Sequence, residues 1–246
     1  MAAKKTYRRR PRARKSRVPK SLAMKPYNFT FKLPSQVFTS NASLGQLDAS
    51  VAAANGPAPL ANTKRNIYPS SNGLPNMYDI GFATTFSLAD IYNAAAWIPL
   101  FDAYKLNSVK CSIEYLNNTS NVNTQGLMPS VYLYWDQDDA TIPTSAINIQ
   151  QKQGMKRLQF GNKMRTSIST TGRPKLTTST NIAGGTTTGA IVQRSQYLDC
   201  VNNTVQHYAL KMLITDVFLP GTTAVTQAFR FNWTYNVSFR SPILAA

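Results

Sequence analysis

The sequence predicts an all-β protein, two antiparallel sheets packed face to face, preceded by a strongly basic segment. Three observations carry that expectation. Residues 229 to 239 alternate apolar and polar without interruption. Stretches with helical period are few and short. The charge is unevenly placed, because residues 1–25 hold eleven Lys or Arg and no Asp or Glu.

Taken in chain order, residues 1–25 are charged, proline-punctuated and nearly without apolar side chains. Such a segment buries too little surface to offset chain entropy and is expected to be disordered alone. From Tyr27 the pattern changes. YNFTFKL sets Tyr27, Phe29, Phe31 and Leu33 against polar alternates, the period-2 signature of a half-buried strand. Residues 40–76 carry ANGPAPLANTK and YPSSNGLPN and are expected to be loop. A weaker strand is expected at 79–88, and SLADIYNAAAW (87–97) suits a helical turn or more. In VKCSIEYL, Val109, Cys111, Ile113 and Tyr115 face one way and Lys110, Ser112 and Glu114 the other. After a loop at 117–127, PSVYLYW (129–135) is apolar on both faces, as in a strand covered on both sides. TSAINIQQKQ (144–153) suits a second helical turn. Weaker strands are expected at 163–169 and 188–198, separated by a Gly- and Thr-rich loop at 171–187.

Towards the C-terminus, HYALKMLITDVF places Tyr208, Leu210, Met212, Ile214 and Phe218 opposite Lys211 and Thr215. A loop at 219–224 leads into AFRFNWTYNVSFR. There Phe229, Phe231, Trp233, Tyr235, Val237 and Phe239 fall on one face, and Arg230, Asn232, Thr234, Asn236, Ser238 and Arg240 on the other. A helix would scatter these aromatics round its circumference, whereas a strand aligns them. About eight strands joined by long connections argue against a meander of tight hairpins. The expected architecture is an eight-stranded antiparallel jelly-roll β-sandwich with long loops, residues 26–246, behind a disordered basic arm, residues 1–25.

The formal charge is +17, of which +11 lies in the arm. The other sixteen basic and ten acidic residues leave only +6 on the body. Charged residues make up 15% of the chain, against roughly 25% in ordinary soluble domains. A body coated with Ser, Thr, Asn and Gln suits burial against partners, since interface cores are depleted in charge. No apolar h-region follows the basic segment, so it does not read as a secretory signal, and no apolar run is long enough for a transmembrane helix. Cys111 and Cys200 lack metal-ligand spacing and read as reduced thiols.

No enzyme is expected. The lone histidine, His207, precedes a strand and reads as a surface or interface imidazole, since a catalytic role would require a nucleophile and an orienting carboxylate. WDQDD places Asp136, Asp138 and Asp139 close together after a strand. These are weak candidates for a hard cation, and a solvated turn or a partner for a neighbouring subunit's Lys or Arg is the plainer reading. No cofactor is called for. The arm carries the binding chemistry: Lys4, Lys5, Arg8, Arg9, Arg10, Arg12, Arg14, Lys15, Arg17, Lys20 and Lys25 suit phosphate backbones, which need charge but no fixed geometry. Eleven contacts to a single strand would give a log K against log salt slope of about −8. Arg8, Arg9, Arg10, Arg12, Arg14, Lys15 and Arg17 also have the composition of a nuclear localisation signal. A second basic stretch, Lys152, Lys156, Arg157, Lys163, Arg165, Arg173 and Lys175, could line the same inner surface or form salt bridges across an interface.

With the basic arm, the all-β body and the absence of a catalytic constellation, the chain resembles a circovirus-type capsid protein. FDAYKLNSVKCSIEY (101–115) is similar to the Phe-Asp-x-Tyr-(Arg/Lys)-x-x-x-Val segment of that family. The closing strand NWTYNVSFR, HYALKM (207–212), KRLQF and TGRPKL stand in matching order. The resemblance implies a single jelly roll, sixty copies in a small icosahedral shell, packaged single-stranded DNA and nuclear import through the arm. The implied partners are further copies of the chain, the viral single-stranded DNA genome, host nuclear import receptors and an unidentified host cell-surface attachment factor. The implied locations are the virion and, during assembly, the host nucleus. A satellite or small RNA virus coat protein would share this architecture, and a cellular basic nucleic-acid-binding β protein would share its charge.

Overall fold

The computed structural model describes residues 25–40, 63–75, 77–116, 129–160, 167–181, 188–193, 196–218 and 227–242. Thirteen strands lie among them: β1 (Tyr27–Lys32), β2 (Gln36–Ser40), β3 (Thr63–Pro69), β4 (Met77–Phe86), β5 (Phe101–Tyr115), β6 (Ser130–Trp135), β7 (Lys156–Gln159), β8 (Ser167–Gly172), β9 (Leu176–Asn181), β10 (Thr188–Gln193), β11 (Leu198–Asp199), β12 (His207–Phe218) and β13 (Gln227–Pro242). Among the described residues, helix is confined to α1 (Ala94–Trp97), α2 (Ala146–Gln150) and 3-10 turns at Leu88–Asp90, Ile98–Leu100 and Cys200–Asn202. These helical turns fall within the two stretches expected to be helical, apart from the turns at 98–100 and 200–202.

One sheet is built on the β13–β5 pair. β13 takes β1 and β2 on its other edge, and β5 takes β8 and β11. The second sheet runs β3-β4-β12-β6-β7. Number β1, β4, β5, β6, β7, β8, β12 and β13 from one to eight along the chain. The first sheet then runs 1-8-3-6 and the second 2-7-4-5. Early and late strands interleave within each sheet, and the chain crosses repeatedly between sheets, which is the jelly-roll order. β2, β3, β11 and the β9–β10 hairpin are added to this frame. β3 lies within the stretch expected to be loop at 40–76, and β9 within 171–187.

The expected faces hold where the ladder is regular. Phe229, Phe231, Trp233, Tyr235, Val237 and Phe239 are all buried in the core between the sheets. Phe82 meets Phe231 at 5.8 Å, Phe86 meets Trp233 edge-on at 5.7 Å, and Phe101 stacks on Phe239 at 4.8 Å. These tilted and offset geometries suit the ring quadrupole. β6 is covered on both sides. Val131 and Leu133 enter the main core, while Tyr132 and Tyr134 pack with Leu213 against Ile149 of α2. Ser145 caps α2, its Oγ accepting from the Asn148 N–H at 3.3 Å.

Register shifts in β5 and β12 change the faces from simple alternation. Asn236 pairs with Ser108 but Val237 pairs with Leu106, so Asn107 is the extra residue in β5. Tyr104 and Leu106 thereby join Val109, Cys111, Ile113 and Tyr115 in the core, and β5 begins at Phe101. In β12 the ladder shifts between Ile214 and Val217, with Asp216 at φ 61°. Val217 therefore takes the core position after Ile214, while the side chain of Phe218 lies outside the described residues. At the strand's start a second shift separates Tyr208 from that face, and its backbone pairs with Lys175 instead.

Candidate nucleic-acid face

The arm enters the fold at β1. Lys25 is exposed immediately before it, while Lys4, Lys5, Arg8, Arg9, Arg10, Arg12, Arg14, Lys15, Arg17 and Lys20 lie outside the described residues. β1 pairs with β13 so that Asn28, Thr30 and Lys32 stand beside Ser238, Asn236 and Thr234. On the far side Arg240, Ser238, Asn236, Thr234, Asn232 and Arg230 stand beside Ala103, Lys105, Ser108, Lys110, Ser112 and Glu114. Because Cβ atoms alternate across a strand, this entire set points away from the core. The outward face of the arm-bearing sheet is thus a lawn of amides and hydroxyls carrying five cations: Lys32, Lys105, Lys110, Arg230 and Arg240.

Side-chain hydrogen bonds hold the lawn in place. Thr30 Oγ1 donates to Asn236 Oδ1 at 2.8 Å, and Asn236 Nδ2 donates to Ser108 Oγ at 2.9 Å. Ser238 Oγ donates to Asn28 Oδ1 and accepts from Asn107 Nδ2. Only one cation of the face is taken up by an acid among the described residues. Arg230 Nη1 meets Glu114 Oε2 at 3.0 Å, a half-exposed pair of small energetic weight. Arg240 sits over Tyr197, its guanidinium carbon 3.8 Å from the ring centroid, and Lys105 Nζ stands 5.9 Å from the same ring centroid. A guanidinium seated on an aromatic keeps its N–H edges free for phosphate oxygens. None of these residues is among the ligands that the sequence assigns to the arm. Their signal was the polar alternates of the two clearest strands, which become one face only when β1, β13 and β5 are laid side by side.

The second basic stretch lies elsewhere. Lys156 and Arg157 belong to β7, the edge of the other sheet, with Arg157 over the Tyr132 ring at 5.4 Å. Lys152 follows α2, Arg173 and Lys175 follow β8 at the end of the sandwich, and Lys163 and Arg165 lie outside the described residues. Lys152, Lys156 and Arg157 therefore do not share the arm's surface.

His207 corrects the reading of a surface imidazole, since it is 0% exposed. Its Nδ1 lies 3.2 Å from both the Phe86 and Val205 carbonyl oxygens, and its ring packs beside Tyr104. Burial depresses its proton affinity, with the two carbonyls pulling the other way. The acidic turn also has a partner inside the chain. The carboxylates of Asp136, Asp138 and Asp139 cluster within 4.8 Å, but Lys211 of β12 reaches them. Its Nζ lies 2.7 Å from Asp136 Oδ2 and also contacts Asp139 Oδ1. Burial raises the affinity of both carboxyls for protons; hydrogen bonds with Asp138 and Lys211 at Asp136, and with Lys211 and the Thr141 N–H at Asp139, outweigh it and hold both below the usual range. An ammonium thus supplies the cation at this turn. Cys111 and Cys200 are free and buried, and no helix among the described residues is long and apolar enough to cross a membrane.

Comparison with solved structures returns viral capsid subunits. The 60-mer BFDV capsid protein superposes with a TM-score of 0.60 at 13% identity, over 91% of this chain and 97% of that one. The decameric BFDV capsid protein gives 0.50 at 14% identity, over 88% and 100%. At these identities the likeness speaks to the jelly roll alone. No curated protein sequence matches the chain. The model of the circovirus capsid protein family, however, matches residues 3–243, both the basic segment and the sandwich. The chain belongs to the circovirus capsid protein family, and its work is the structural one of building a viral shell.

Proposed function

We propose that the chain closes sixty copies into an icosahedral shell and packages circular single-stranded DNA. Residues 1–25 act as the nucleic-acid-binding arm and nuclear localisation signal, and residues 26–246 as one capsid domain. The observation that carries this reading is the continuity of charge. Eleven arm cations enter the sandwich at β1, on the sheet whose outward face adds Lys32, Lys105, Lys110 and Arg240. Phosphate neutralisation by flexible Lys and Arg supplies affinity without reading bases. Sixty arms would bring about 660 positive charges against the genome. The copy number follows the 60-mer formed by the BFDV protein.

In this reading the arm passes the chain to host import receptors before assembly, and a host attachment factor engages the finished particle. The test is the nucleic acid that copurifies with particles from infected or expressing cells. Cargo destroyed by DNase and resistant to RNase is expected after particle disruption, and RNase-labile cargo would assign the shell to an RNA instead.

A further inference from the structure

One end of the sandwich carries apolar side chains that the fold itself leaves uncovered. The connection from β4 to β5 reads SLADIYNAAAWIPL and holds a single charge, Asp90. That carboxylate is spent internally, accepting from the Ser87 N–H at 2.7 Å and from the Tyr235 hydroxyl at 3.3 Å. The connection from β11 to β12 packs beside it. Ala89 N–H donates to the Asn203 carbonyl at 3.0 Å, and the Tyr104 hydroxyl donates to the Asn202 carbonyl at 3.1 Å. Asp199 Oδ1 accepts from Val201 N–H at 2.9 Å and fixes the 3-10 turn on which Val201 sits. Two connections are thus pinned to each other and to the core, yet Tyr92 is 69% exposed, Leu100 50% and Val201 79%. Ala95, Ala96 and Pro99 are exposed beside them.

A single exposed Val is ordinary. Three large apolar groups held out on adjoining, hydrogen-bonded turns, with no cation nearby in either segment, form a patch with the composition of an interface core. We propose that this end, marked by Tyr92, Leu100 and Val201, is a contact between copies of the chain in the shell. The inference rests on shell assembly, which demands surfaces where copies meet. The chain's own arm is a poor occupant, because residues 1–24 offer ten cations and only Met1, Tyr7, Val18, Leu22 and Met24 as large apolar groups. A polyanion is a poorer one, because the patch offers it no charge.

The two native thiols make a direct test practical. Both are buried, and burial pushes Cys200 up to about 11 and Cys111 higher still, so both react slowly with maleimide. Val201→Cys then supplies the one fast thiol. Labelling should be about tenfold slower or more in intact shells than in subunits dissociated by salt, since interface centres exclude water. Val201→Asp should leave the melting temperature of free subunits unchanged and abolish closed shells in electron micrographs. Equal labelling rates in the two states, or wild-type shell yields from Val201→Asp, would overturn the contact while leaving assembly intact. Absence of shells from the wild-type chain would instead overturn the assembly reading, and this contact with it.

Discussion

Several single residues carry constraints that a composition would not reveal. Trp233 lies wholly inside the sandwich, edge-on to Phe86, and its Nε1 has no hydrogen-bond partner among the described residues. Trp233→Ala empties a large core site and should cost about 3–5 kcal/mol in denaturant unfolding. Gly172 is constrained by contact, since a Cβ there would stand 2.1 Å from the Trp135 ring. That ring is itself held by a 3.1 Å bond from its Nε1 to Thr170 Oγ1. Gly172→Ala should therefore destabilise by about 1–3 kcal/mol, the usual range for overpacking. His207 makes stability depend on pH. Its folded affinity for protons lies below the ordinary value, with burial as the main cause. The unfolded chain therefore binds the proton first as pH falls below about 6.5. Stability is present above that value and declines as pH drops towards the depressed folded value. Melting curves at pH 7.5 and 5.5 should show the loss, and His207→Gln should shrink the difference between them.

At the level of elements, Lys211 ties β12 to the turn that leaves β6. It is almost fully buried among Asp136, Asp139 and the Tyr134 ring. Removing it strands Asp136 in a half-dry site, so Lys211→Ala should cost about 3 kcal/mol, measured by chemical denaturation. The elements also show where sequence was legible. β1, β6, β12 and β13 could be read because one residue in two is apolar, or all are. β3 could not, because the positions facing the core include Thr63 and Arg65, both buried, so the hydropathy alternation is absent. β9 reads LTTSTN, and its β-branched threonines are indistinguishable from loop without knowledge of β10 beside it. The start of β5 was hidden by Asn107, whose bulge puts even-numbered residues on the face that odd-numbered ones occupy later. The site divides similarly. Its arm is visible as a run of charge, while the face built from Lys32, Lys105, Lys110 and Arg240 exists only once three distant strands are adjacent.

For the whole molecule, charge and fold separate cleanly. Deleting residues 2–25 should leave the melting temperature of the sandwich unchanged while removing most nucleic-acid binding. Retained cargo in truncated particles would contradict the arm's role. In the full chain, replacing Lys32, Lys110 and Arg240 with Ala should shallow the salt dependence of binding by about 0.7 per lost contact. Both measurements are filter-binding titrations across salt concentrations.

The pairing of β1 with β13 also sets a timetable. Tyr27 lies opposite Phe239 and Lys32 opposite Thr234, so the first strand waits for residues more than two hundred positions later. β13 stands between β1 and β5 and serves as the shared neighbour of both. Contacts this distant in sequence form late and slowly, and a nascent chain keeps β1 and β5 as open edges until β13 has left the ribosome. The polar face of that sheet, proposed above to meet the genome, is then completed only after synthesis has passed the last strand. A growing chain would hold its basic arm ready but lack the face that accompanies it, and its unpaired edges would depend on chaperones in the interval.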